Sequence, residues 1–285
     1  MSETPFRWNI ARREQLGSLL EGLSEYRFMQ AADLDVLRRT SARLLALSNG
    51  ADLAFIGRSP ENFFDYLSGL FEGVEAAPAC HLVQFSMRWP GEGGVKALPR
   101  DKLEGLFTYF RALGLAPADI AAAPAPLALI DFVAYGGTMA TLISLLHLQA
   151  EWEGTDWNAV QRRLKIIGLT HRTKNSPNTW RWQQNQRWLD LIPDTDIKNV
   201  SVPSGFLYLI ANFQTKVTRS HHIGRWASPE RATLDHDQRL ALRLAADLYD
   251  LGHTREERHL LAGLIAKTHQ MRQPKTRALV TALKR

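Results

Sequence analysis

A single cysteine, Cys80, stands among 285 residues. It excludes an intramolecular disulfide and any cysteine-rich zinc site, and its default role is that of a small buried residue. Long hydrophobic runs are equally absent. No apolar stretch reaches the roughly 18 residues that a membrane span needs, although 45 % of the residues are hydrophobic, enough for the core of one large domain or two modest ones. Residues Met1 to Trp8 lack the apolar core of a signal peptide, so the expected location is the cytoplasm and no membrane partner is expected. There is no Ser-centred nucleophile elbow, no Walker loop and no dinucleotide fingerprint, which removes the acyl-transfer and nucleotide-triphosphatase classes. His221-His222, and His236 between Asp235 and Asp237, lack the usual metal-ligand spacings, so no intrinsic metal site is expected.

Acid is missing from two stretches. The net charge is +6, but from Asp156 to Asp190 seven Lys or Arg residues occur with no Asp or Glu between them. After Glu257 there is again no acid, while Lys267, Arg272, Lys275, Arg277, Lys284 and Arg285 follow. Such a run either attracts nucleic acid or forms a solvated helix face.

What is present reads mostly as strand followed by helix. Residues 11–48 carry leucines at helical spacing (Leu16, Leu19, Leu20 and Leu23, then Leu34, Leu37, Leu44 and Leu45) and predict a helical lead-in broken by Asn49-Gly50. Ala51 to Ile56 predicts a strand, Gly57-Arg58-Ser59-Pro60 a turn, and Asn62 to Phe71 a helix. His81 to Trp89 predicts a strand and Asp101 to Leu113 a helix, with Ala116 to Pro126 a connector. Leu127 to Ile130 predicts a buried strand and Met139 to Ala150 a helix ending near Gly154. Asp156 to Arg163 predicts a further helical stretch and Leu164 to Thr170 a strand, and Val200 to Val202 and Phe206 to Ile210 are apolar again. Helical periodicity returns after Pro229. This alternation argues for a parallel α/β sheet with helices on both faces and ligands beyond the carboxyl ends of the strands.

Between the strand at Leu127 and the helix at Met139 lies Asp131-Phe132-Val133-Ala134-Tyr135-Gly136-Gly137-Thr138. A helix N-terminus offers unpaired N–H groups and a positive dipole end. Glycines let an anion approach that backbone closely, and Thr138 adds a hydroxyl. Together with the earlier Gly57 turn, this pattern resembles the type I phosphoribosyltransferase fold. The resemblance covers roughly residues 50–215, implies that Asn199 to Ile210 form the fold's later strands, and leaves both helical ends unexplained; the expected parts are a helical N-terminal extension (1–50), a phosphoribosyltransferase-like, Rossmann-like α/β core (51–215) and a C-terminal helical cap (216–285). The resemblance also implies that Asp131 is the catalytic carboxylate that holds the ribose hydroxyls and favours the developing cation, and that Tyr135, Gly136, Gly137, Thr138 and Met139 hold the 5-phosphate. Gly57, Arg58 and Ser59 would hold the diphosphate, with Mg²⁺ arriving on the ligand. Two features depart from the family. Ile130 occupies the first of two positions that are usually acidic, and Tyr135 stands where a small hydroxyl residue is common. These departures touch catalysis more than binding, because a phosphate cradle built of backbone N–H groups survives them.

Arg58 is the candidate for a bidentate hold on phosphate, the alternative being an ordinary surface residue. Arg172, Lys174, Arg181 and Arg187 are interleaved with Trp180, Trp182 and Trp188, a composition that can stack a base and hold its phosphates, or can pack a helix on the core. The expected function is binding of phosphoribosyl diphosphate or a nucleotide, with transfer of the phosphoribosyl group to a nitrogenous acceptor. The alternative is a non-catalytic nucleotide sensor or an RNA- or DNA-binding protein that uses Arg172, Lys174, Trp180 and Arg181.

Overall fold

Strands buried on both faces must be covered on both faces, and here each strand divides its side chains by parity between two apolar layers. The computed structural model describes residues 7–23, 28–75, 77–171, 182, 190–193, 196–226 and 234–285. Five strands, β1 (Asp52–Ile56), β2 (Cys80–Val83), β3 (Leu127–Phe132), β4 (Leu164–His171) and β5 (Ile197–Val202), form one sheet in the order β2-β1-β3-β4-β5. All four pairings are parallel. This is the α/β class with an all-parallel, Rossmann-like sheet.

Leu53, Phe55, Ala128, Ile130, Ile167 and Leu169 point into a first layer. Ala54, Ile56, Leu127, Leu129, Leu164 and Ile166 point into a second. The first layer holds α1 (Ala31–Ser48), α2 (Glu61–Phe71), α7 (Ser204–Tyr208), α8 (His236–His253), α9 (Arg255–Ala266) and α10 (Pro274–Leu283). The second holds α3 (Arg100–Ala112), α4 (Pro117–Ala122), α5 (Gly137–Glu153) and α6 (Trp157–Gln161). Helices from both ends of the chain therefore share one core with α2 and the sheet. Glu257 of α9 ties them together: it accepts from Arg38 Nε of α1 at 2.5 Å and Nη2 at 2.9 Å, and from Tyr66 Oη of α2 at 2.7 Å. Glycines bring α2 and α8 into backbone contact, since a Cβ on Gly69 would collide with the Tyr249 carbonyl and one on Gly252 with the Tyr66 carbonyl.

Three expectations change in the structure. The strand expected over His81–Trp89 stops at Val83, because beyond it Gln84 N bonds to Tyr109 Oη at 2.7 Å and Ser86 N to His221 O at 3.1 Å instead of to a strand. The connector Ala116–Pro126 contains α4, started by Pro117 in the first turn, where a missing N–H costs nothing, and by Asp119 accepting from Ala116 N at 3.2 Å. Phe206 to Ile210 is helical, not strand: α7 starts after Pro203 and is continued by a π-turn over Leu209–Phe213. The 206/210 spacing aims both side chains at the first layer, with Phe206 edge-on to Phe63 at 6.3 Å. Among the described residues, no helix is long and apolar enough to cross a membrane.

Candidate functional site

The strand order reverses between β1 and β3, so the chain leaves these adjacent strands toward opposite layers: β1 into α2, β3 into α5. In folds of this kind such a divergence leaves a crevice at the carboxyl edge of the sheet, the usual ligand position. Both glycine turns of the sequence lie at this edge.

A third segment joins them. Gly57, with φ +73°, donates to Val83 O at 2.8 Å, and a Cβ on it would sit 3.0 Å from Phe85 O. A Cβ on Gly137 would sit 2.8 Å from Arg88 O. The exit from β2 therefore runs across the end of β1 to the start of α5, and both turns need glycine because this backbone lies against them. The sequence predicts strand for the residues of this crossing, Gln84 to Trp89, which lie beyond the end of β2. Their only sequence signal is the basic-aromatic pair Arg88-Trp89 ahead of Pro90.

Gly136 takes the left-handed conformation (φ +80°) as the residue before α5, and no side chain caps that helix. The helical ladder begins with Ala140 N donating to Gly136 O at 2.8 Å. The N–H groups of Gly137, Thr138 and Met139 thus precede the ladder, and no acid stands in the first turn. Met139 is buried, while Thr138 is half-buried. Two large aromatics next to this contact in the chain are exposed, Tyr135 before Gly136 at 71 % and Trp89 after Arg88 at 76 %.

Asp131 lies at the end of β3 with the parity of Leu127 and Leu129, on the α5 side, and is buried. Burial pushes its carboxyl up to about 8, opposed by the Phe132 N–H and the Arg88 charge. Arg88 is exposed and electrostatically coupled to this acid. Beside it, Thr170 Oγ1 donates to Val133 O at 2.6 Å and Val133 N to Leu169 O at 2.8 Å, fixing the exit of β3 to β4. Ile130 faces the other way, fully buried in the first layer. A carboxylate there would enter an apolar core.

The start of α2 is differently furnished. It too lacks a side-chain cap, but Glu61 in its first turn is buried against Arg7 at 3.5 Å and Lys216 at 4.0 Å, and accepts from Val217 N at 3.4 Å. Asp65, one turn on, pairs with Arg7. Burial raises Asp65 to about 7 despite that partner and lowers Lys216 to about 8. Asn62 and Gln214 exchange bonds of 2.7 and 3.0 Å. Arg58 donates to Thr218 O at 3.3 Å, and Thr218 Oγ1 bonds Gln84 Oε1 at 3.1 Å. Gln214 to Trp226 is thus a strap laid over the ends of β1 and β2, closed by Trp226 stacked on Phe85 at 5.8 Å. Nothing in the sequence marks it. Of Gly57, Arg58 and Ser59, Arg58 is bonded directly to it.

Arg172, Lys174, Trp180 and Arg181 fall outside the described residues. Their neighbour Trp182 is fully buried in the second layer, with Nε1 donating to Asn199 Oδ1 at 2.6 Å across Gly168. Its ring is a core element and offers no stacking face. Among the described residues, no group of three His, Cys, Asp or Glu is placed to hold a metal ion. Comparison with known proteins finds no matching family model, no matching curated protein and no matching solved structure.

Proposed function

We propose that this protein binds a phosphorylated ribose, as phosphoribosyl diphosphate or a nucleotide, in the crevice between β1 and β3. One observation carries the reading: an uncapped, glycine-opened start of α5 stands beside the buried carboxyl of Asp131, with the cationic Arg88 coupled to that acid. The ligand's 5-phosphate meets the N–H groups of Gly137 and Thr138 and the positive end of the helix dipole. Asp131, largely protonated at neutral pH, can donate one hydrogen bond to a ribose oxygen. As an anion it accepts from two hydroxyls and favours a developing positive charge at C1.

The donor set suits a Mg²⁺ carried by the ligand, because this hard ion is commonly held by one carboxylate, phosphate oxygens and water. When bound, it neutralises charge on a departing diphosphate. Transfer to a nitrogenous acceptor would break the bond from C1 to diphosphate and form a bond from C1 to nitrogen, with the acceptor's proton lost to solvent. A second reading, a sensor that binds without turnover, is favoured by Ile130. Its place in the core leaves Asp131 as the sole carboxylate of the β3 pair.

Isothermal calorimetry with phosphoribosyl diphosphate and Mg²⁺ tests the binding, and diphosphate release against a panel of bases separates the two readings. The expected result is saturable binding that falls at least ~10-fold in Gly137→Ala, which drives a methyl into the Arg88 carbonyl, and in Asp131→Ala. Release of diphosphate identifies a transferase, and binding without release a sensor. No heat with phosphoribosyl diphosphate, ribose 5-phosphate or a nucleoside monophosphate overturns both.

A further inference from the structure

The acid-free C-terminus does not reach the crevice. One of its basic residues, Lys275, lies at the opposite, amino-terminal edge of the sheet, and α10 carries the chain onward from there. There Lys165, at the start of β4, donates to Ser48 O at 3.0 Å, and Lys275, at the start of α10, lies against Gly50 in the turn after α1. Lys198, at the start of β5, belongs to the same group. Lys275 and Lys198 both depress the Lys165 amine, after burial, and Asp196 is the acid that opposes them. Three amines thus converge from three elements on one edge.

The six basic residues from Lys267 to Arg285 are all exposed, and none forms an ion pair with a described carboxylate. Their recorded partners are uncharged: Arg277 Nη1 donates to Met271 O at 3.2 Å and Arg272 O at 2.6 Å, and Arg272 meets His269. By contrast, Arg39, Lys96, Arg100 and Arg243 elsewhere on the surface each have a carboxylate. Apart from Asp196 beside Lys165, no described carboxylate offsets these cations, and a basic surface of this kind attracts an external polyanion.

The chemistry around these cations selects among polyanions. An anionic membrane requires an apolar face with Trp, Phe or Leu to insert, yet beyond α8 the exposed large hydrophobic residue is Leu260 alone among those described. A single strand is held by stacking on aromatic rings, and residues 254–285 contain no Phe, Trp or Tyr. Point charges without rings or apolar anchors suit the regular phosphates of a duplex, read by spacing and not by base.

We propose that this amino-terminal edge, formed by Lys165, Lys198, Lys275 and the basic residues of α10 and its flanks, binds the phosphate backbone of double-stranded nucleic acid without sequence preference. The surface lies across the sheet from the crevice, so the inference stands apart from the phosphoribosyl reading. The test is fluorescence anisotropy of the full chain with a labelled mixed-sequence DNA duplex of about 20 base pairs, titrated from 50 to 200 mM KCl. Contact with three to five phosphates predicts a slope of log K on log salt of roughly −3 to −5. The triple variant Lys275→Glu, Arg277→Glu, Lys284→Glu should bind at least 10-fold more weakly at 50 mM with a flatter slope. Circular dichroism and a melting curve check that it is folded, because Lys275 lies on Gly50 and Arg277 holds two carbonyls; the single variant Lys284→Glu, at an exposed side chain, should keep the wild-type curves and still bind more weakly. Arg100→Glu, on α3, should bind as wild type. The proposal is overturned if the wild type does not bind at 50 mM KCl, if the triple variant binds equally well, or if phosphatidylserine vesicles bind and the duplex does not.

Discussion

Asp131 and Ile130 are neighbours in β3 that face opposite layers, and parity decides what each can do. The sequence shows both residues, and it shows that an acid ends an apolar run before a glycine turn. It does not show burial, and burial sets the protonation state of Asp131. In the unfolded chain this carboxyl ionises near its ordinary 3.8, and in the folded one near 8. Between those values the unfolded state binds fewer protons, so stability falls as pH rises through the window, and above about 8 the loss is complete. Asp131→Asn removes that loss. Its melting temperature relative to wild type should climb from pH 4 to pH 8 and stay level above, followed by circular dichroism. A difference that does not change with pH would show that the carboxyl is solvated and ordinary. Arg58 and Arg88 teach the converse. The sequence offers Arg58 because it follows a glycine, yet its guanidinium is held by the Thr218 carbonyl. Arg88, which couples to Asp131, follows no motif and reaches the site because the β2 exit crosses the end of β1.

Elements were more legible than contacts. Apolar runs and helical spacing located all of β1, β3, β4 and α5 to within a few residues, because each buries a continuous apolar face and hydrophobic period reports burial. The failures occurred where a competing partner ended the pattern: Tyr109 and His221 capture the backbone after β2, and Pro117 starts a helix within an Ala-Pro connector. Helix pairing was not legible at all. Gly69 and Gly252 look like ordinary helix-interior glycines in sequence, which on propensity alone would favour replacement by Ala. In the structure each is the contact point of α2 with α8, where a methyl group meets a carbonyl. Gly252→Ala should therefore destabilise the protein by about 1–3 kcal/mol, as overpacking does, and not stabilise it. Urea denaturation gives the sign directly, and a gain in stability would mean that the helices are not in backbone contact. The strap is the other element the pattern could not reveal. Its anchors on Glu61, Asn62, Gln84 and Arg58 are polar, non-periodic and more than a hundred residues away in the chain.

At the scale of the whole molecule, the parallel sheet gives the protein two unlike edges. The carboxyl edge carries the crevice, an uncapped helix start and a buried acid. The amino edge carries lysines from β4, β5 and α10. Because a strand separates the two ends and no described ion pair links them, occupancy of one should not alter the other. Duplex affinity measured at fixed salt and Mg²⁺ should stay within about 2-fold when phosphoribosyl diphosphate is added to saturation, and a larger change would reveal coupling through the core. The amino-acid sequence by itself determined the α/β class, the parallel order of strand and helix, the two glycine turns and the uneven placement of charge. All of these are local: period, turn chemistry and composition are written in neighbouring residues. Only the tertiary structure decided that both turns meet one crossing segment, that Asp131 is buried while Ile130 belongs to the core, that a strap is bonded to Arg58, and that scattered lysines share an edge. Each of these depends on which distant segments are brought together, and chain neighbourhood carries no record of that.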